Sequence, residues 1–319
     1  MARLIDDLRA TDRLNMPWYV GRAKHKAWFE HQARLRPLYM RRDFPVILID
    51  NVADYFYSGT DQENWDLRDH FPNIAPPWRT AWFEHRMPRQ IRSEEFGTID
   101  SIAPKGRVGF LMFAQEEGDL ADNGGSWPDQ PGWPPGTRWI IRVEMFMDFY
   151  GRPDSIEGAS GPWSLRVDAD GRAAGTPFIQ TWTAPDQNEY MQGFQSFLYP
   201  PLLAMCFSHC KNVVMEDHEM PAPLVKKFRA KHGNKSLQPA AWKTLVIEPM
   251  KQVLRREGKA ESTGLQRALH ICRGHFADYT QGRGLFGKFH GRYWIPQTVR
   301  GTVKGGVKSP PEREVVIKL

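Results

Sequence analysis

Five strand-like segments between residues 80 and 184 constrain this chain more than anything else in it. They are TAWFEHRM (80–87), RVGFLMFA (107–114), RWIIRVEMFMDFY (138–150), PWSLRVDAD (162–170) and PFIQTWTA (177–184). β-Branched and aromatic residues dominate them, and turn residues separate them. Trp82 alternates with Phe83 and Ile140 with Ile141, while Val143, Met145 and Met147 share one face. Half-buried strands of a mixed, largely antiparallel sheet are expected. The loop 118–137, rich in Gly and Pro, is expected to be a surface excursion that carries Trp127 and Trp133.

Helical patterns flank the strands. The first forty residues repeat apolar positions at helical spacing, with Pro17 placed to open a helix and Pro37 and Pro45 to close it. Val46 to Tyr57 divides between strand and helix, and the spacing of Val46, Ile49, Val52, Ala53 and Phe56 favours helix. Residues 186–208 place Tyr190, Phe194, Phe197 and Leu198 on one stripe, which Pro200 and Pro201 are expected to interrupt. A strand (211–217), a basic helix (221–235), a strand (241–249) and a glycine-punctuated pair of strands complete the chain. The reading is an α+β fold: N-terminal helices, a central mixed mostly antiparallel sheet, and a basic C-terminal helix-plus-hairpin region. It divides the chain into residues 1–45, 46–215 and 216–319.

Charge supports that division. Residues 51–221 hold thirteen Lys/Arg against twenty-five Asp/Glu, whereas residues 222–319 hold twenty against six, a net +14. A third this basic suits phosphate or another polyanion. No apolar run reaches the length of a transmembrane helix, so no membrane partner is expected. The N-terminus carries charges throughout and has no apolar core of a secretory signal. Three cysteines, an odd number in 319 residues, point away from a disulfide framework and towards a reducing, cytoplasmic compartment.

The densest chemistry lies in HICRGHF (270–276) and LFGKFHGRYWIPQTVRG (285–301). Read as strands, they place Arg273 with His275 on one face, and His290 with Arg292 and Trp294 on another. If those faces align across a hairpin, two imidazoles and two guanidiniums converge, a set suited to metal-independent phosphodiester cleavage. The same residues also serve binding without chemistry. Lys226, Lys227, Arg229, Lys231, Arg273, Arg292 and Arg300 would contact phosphates, and Tyr293 or Trp294 would offer a stacking surface. Cys206, His209 and Cys210 would share a helix turn as a possible zinc set, but the paired C-x-x-C of strong zinc motifs is absent, so no metal or other cofactor is expected. No Walker loop, Rossmann fingerprint, nucleophile elbow or H-E-x-x-H motif is present.

At these residues the chain resembles a widespread group of phage and mobile-element proteins. Their C-terminal signature is an H-x-C/V-R-G/A-H-F/W strand, a short turn and a W-x-P-H-x-R-G strand. CKNVVMEDHEMPAPLVKKFRAKHGNKSL (210–237) resembles that group's K-N-V strand and basic helix, and NIAPPWRTAWFEHRMP (73–88) its N-terminal strand. Gln297 stands where the group shows a histidine. The resemblance implies context, a phage or prophage gene acting in a bacterial cytoplasm, and carries over no activity. The expected function is that of a phage-type accessory protein binding DNA or RNA through its basic C-terminal region. Two alternatives remain: a nuclease using His275 and His290, and a protein that inhibits host machinery through its acidic middle and the Trp127/Trp133 loop.

Overall fold

The strand pattern folds into one large mixed sheet in a computed structural model. The structure describes residues 3–11, 14–17, 20–58, 70–87, 90–93, 97–100, 106–119, 134–159, 163–175, 178–179, 197–233, 238–247, 268–272, 275–282, 284–285, 288–295, 298–300 and 302–307. Among the described residues the α-helices are α1 (Leu4–Ala10), α2 (His25–Met40), α3 (Asp50–Ser58), α4 (Tyr199–Ser208) and α5 (Ala222–Lys231). The sheet strands are β1 (Val46–Leu48), β2 (Thr80–Arg86), β5 (Arg107–Glu116), β6 (Trp139–Asp148), β7 (Ile156–Glu157), β8 (Trp163–Val167), β9 (Phe178–Ile179), β10 (Val213–His218) and β11 (Trp242–Ile247). A separate pair, β3 (Gln90–Ser93) and β4 (Gly97–Asp100), is antiparallel.

The order across the sheet is β10-β11-β1-β2-β5-β6-β8-β9, with β7 beside β6. β1 runs parallel to both β11 and β2, and the ladders from β2 to β9 are antiparallel. The α+β class and the mixed sheet match the sequence reading. The half-buried strands do not. Most side chains of β2, β5 and β6 are buried, neighbours on both faces of the strand included, because helices pack on the sheet. Leu4, Ile5 and Leu8 of α1 and Leu35 and Tyr39 of α2 pack with Trp82, Leu111 and Phe146 on one face. α3 packs on β2 and on α4. Fully covered strands read as continuous apolar runs, and this is why Trp82-Phe83 and Ile140-Ile141 are both apolar. Gly109 is required where the Trp82 ring crosses β5: a Cβ there would lie 2.1 Å from Trp82 Cζ2.

Prolines act differently from the expectation. Pro200 and Pro201 sit in the first turn of α4, where their missing N–H groups have no intrahelical acceptor to lose. α2 runs past Pro37 to Met40, its last turn held by the buried Tyr39 ring edge-on to Phe146 at 5.8 Å. Val46 to Tyr57 is strand and then helix, β1 giving way to α3 at Asp50.

Buried charge ties α1 to the sheet. The Glu84 carboxylate of β2 accepts the N–H groups of Leu4 at 2.5 Å and Ile5 at 3.1 Å, and the Trp82 indole N–H at 3.0 Å. Arg107 of β5 donates to Asp7 of α1 at 2.9 Å and to Asp148 of β6 at 2.9 Å. His31 and Arg142 both meet Glu144, at 3.0 and 2.9 Å. All of these groups except the part-buried Arg142 are buried, so the buried carboxylates and Arg107 depend on their partners.

The chain divides into two compact units: Met1–Ser208 with Met215–Leu245, and His209–Val214 with Val246–Leu319. The sequence reading places its boundaries elsewhere, after residues 45 and 215. The N-terminal helices supply core to the sheet, and β11 joins β1, so residues 215–245 belong with the larger unit. In the smaller unit, β13 (His275–Asp278) pairs antiparallel with β14 (Arg292–Ile295). β12 (Ala268–Cys272) pairs antiparallel with β15 (Thr298–Arg300) and parallel with β16 (Thr302–Val307). The antiparallel ladders keep one register offset, His270 opposite Arg300 and Asp278 opposite Arg292, as the two limbs of one hairpin would. Among the described residues no helix is long and apolar enough to cross a membrane.

Candidate nucleic-acid interface

The hairpin register decides what its polar residues can do together. Asp278 lies opposite Arg292 and Phe276 opposite Trp294, which puts these four on one face. His275 lies opposite Ile295 and Ala277 opposite Tyr293, on the other face. His275 and Arg292 therefore point to opposite sides, three residues or about 10 Å apart along the strand. His290 is exposed just before β14, at the end of the hairpin away from His275, with its ring beside Gly284. The convergence expected of His275, His290 and Arg292 does not occur, and Arg273 lies outside the described residues.

Arg292 is already engaged. It donates to Asp278 at 2.9 Å. Burial alone pushes the Asp278 carboxyl up, but the Thr280 and Arg292 donors outweigh it and hold it below its ordinary value. Tyr293 and Trp294 are 0% and 4% exposed, so neither offers a stacking surface. Tyr293 and Ile295 form the core of the small unit with Leu285, and Trp294 meets Phe276 edge-on at 4.7 Å. Aromatic rings next to basic residues in this hairpin are core rather than platform. Arg300 lies on β15, and its side chain is outside the described set.

The cysteine set also separates. α4 ends at Ser208, so His209 and Cys210 fall beyond the helix that was expected to align them with Cys206. Both Cys206 and Cys210 are buried thiols, and burial pushes Cys210 up to about 12. Among the described residues no group of three His, Cys, Asp or Glu side chains is arranged to hold a metal ion.

α5 presents an exposed basic surface. Its sequence, APLVKKFRAK, contains four cations and no carboxylate. Phe228 is its buried anchor, and Lys226 and Lys227 are exposed. Arg229 is half-buried. Lys231 is committed to the fold: with His232 it meets the buried Asp7 carboxylate, each at 3.0 Å. One end of α5 is thus fastened to α1 by a buried anion, which leaves the lysine pair on the outside. The anchor residue Asp7 was missed from sequence. Its only signal is an acidic pair, Asp6-Asp7, set within the apolar positions Leu4, Ile5 and Leu8 of α1.

Comparison with family models, with curated proteins and with solved structures finds no match to the chain.

Proposed function

We propose that the protein binds nucleic acid through the exposed basic surface of α5, in the phage or prophage context that the C-terminal motifs suggest. The observation that carries this reading is the pairing of Lys226 and Lys227. Both are exposed on a helix without acidic residues, and neither forms an ion pair among the described residues. Exposed lysines held on a fastened helix suit phosphate contact without sequence readout, since a point charge on a flexible stem neutralises a phosphate but does not read a base. Arg229 is a further contact beside them. The net +14 of residues 222–319 supports the same partner by long-range attraction. The two-histidine cleavage reading receives no support, because its residues lie on different faces and at different ends of the hairpin.

Three phosphate contacts give a slope of about −3 in log affinity against log salt. Titration of labelled duplex DNA, single-stranded DNA and RNA across a salt series tests the reading. A steep slope on at least one of them is expected; no binding at low salt, or binding indifferent to salt, contradicts it.

A further inference from the structure

Besides α5, the larger unit has a second cationic feature that nothing in the helix reading uses. A cleft of about 200 Å³ opens beside α1, β1 and β11 and is lined by Arg9, Arg42, Lys243 and Asp217 with Phe44 and Trp242. Lys243 and Asp217 satisfy each other at 2.5 Å, so the excess charge belongs to the two arginines. Arg9 is only 6% exposed. It donates Nε to the Tyr39 carbonyl at 2.8 Å and Nη2 to the Arg41 carbonyl, and its guanidinium lies over the Phe44 ring. Nη1 has no hydrogen-bond partner among the described residues. The nearest buried carboxylate, Asp6, is held by Arg3 at 2.8 Å and by the Ala240 N–H at 2.8 Å. Burial, with Arg42 and Arg3 also near, pulls Arg9 down to about 10 against the attraction of Asp6. A buried guanidinium that lacks a carboxylate of its own, with an exposed Arg42 on the same wall, is a site short of an anion.

We infer that this cleft binds a phosphate group, with Arg9 as the buried donor and Arg42 as the entry cation. The Trp242 ring is already engaged, stacked with His218 at 5.6 Å between ring centroids and covered by the Arg3 guanidinium at 4.3 Å. The aromatic wall therefore desolvates the site and does not stack a base. Recognition rests on the phosphate itself, whether it is a free mononucleotide's or the 5′ end of a strand.

Isothermal titration of the full chain with inorganic phosphate at low ionic strength tests this directly. One saturable site is expected in the wild type and in the Lys226→Glu/Lys227→Glu variant, and Arg42→Glu should weaken it by about tenfold or more. Arg42 is exposed, so its replacement leaves the fold intact, as circular dichroism will register. The source of the phosphate is read by comparing a nucleoside 5′-monophosphate with a 5′-phosphorylated and a 5′-hydroxyl oligonucleotide. Preference for the monophosphate, or for the phosphorylated over the hydroxyl strand, supports the site and names its ligand. Phosphate binding that is absent, or that survives Arg42→Glu, overturns it. Loss of phosphate binding only in the Lys226/Lys227 variant overturns it too, while leaving the α5 reading in place.

Discussion

Asn212 donates its side-chain amide to the carbonyl of Trp294 at 2.7 Å and accepts the Trp294 N–H at 2.8 Å. One side chain thus satisfies both backbone groups of a buried strand residue, as a neighbouring strand would. Next to it the Lys211 N–H donates to the Arg292 carbonyl at 2.9 Å. The Lys211 stem lies where Gly291 has φ +132, and a Cβ at Gly291 would come within 2.6 Å of it. The K-N-V segment and the G-R-Y-W strand, two of the most recognisable motifs in the chain, are therefore halves of one structural clamp.

Replacing Asn212 by Ala leaves a buried N–H and a buried carbonyl of Trp294 without partners. The expected loss is about 2–4 kcal/mol from the small unit, since each unsatisfied group costs on the order of 1–3 kcal/mol. Amide hydrogen exchange across β13 and β14 is the measurement. Protection unchanged in the variant would show that the clamp does not hold the hairpin.

Asp7 is the corresponding anchor of the larger unit. Asp7→Asn keeps the volume but removes the charge shared by Arg107, Lys231 and His232. Arg107 retains Asp148, so the expected cost is about 2–3 kcal/mol, at or below the lower end for breaking a buried pair. Urea unfolding measures the loss. Limited trypsin digestion should also cut faster at Lys226 and Lys227 as α5 loosens. Unaltered cleavage there would mean that α5 is held by Phe228 alone.

Glu157 on β7 gives a pH dependence. Burial pushes its carboxyl up to about 7 from an ordinary 4.5, and its buried Oε2 has no hydrogen-bond partner. The folded chain therefore keeps a proton that the unfolded chain releases above pH 4.5. This contribution favours the fold at low pH, is lost as pH rises from 4.5 towards 7, and is flat beyond. Glu157→Gln should raise stability at pH 8 by about 1–2 kcal/mol, with solvent screening of a half-buried group taken into account, and change little at pH 4. Thermal melts at the two pH values check it; an equal effect at both would remove the carboxyl as the cause.

Much of the fold was legible because it rests on local pattern. The strands β2, β5, β6 and β8, the basic helix α5 and the C-terminal hairpin all lie where apolar runs and turn residues put them. What was not legible depends on contacts between distant residues. Periodicity alone does not separate a strand covered on both faces from a half-covered one when its polar positions are buried ion pairs such as Glu84, Arg107 and Asp148. Strand parity correctly placed Arg292 and Trp294 together, but the partner of each strand residue is set by register, and a shift of one residue moves His275 to the other face. Tyr293 and Trp294 look like a stacking platform beside basic residues; Tyr293 is buried against Leu285 and Ile295, and the Trp294 backbone is held by Asn212, some eighty residues earlier in the chain. The exposure of Lys226 and Lys227 on a basic helix was legible because it needs no distant partner.

The most direct test is the nucleic-acid affinity of the full chain with both lysines reversed, Lys226→Glu/Lys227→Glu, against His275→Ala/His290→Ala in the hairpin. Fluorescence anisotropy with the nucleic acid that binds best, at two salt concentrations, is sufficient. The expected result is a fall of at least about tenfold in the lysine variant, with the salt slope reduced by about 2, and no change in the histidine variant. Affinity unchanged by reversal of both lysines would contradict the account.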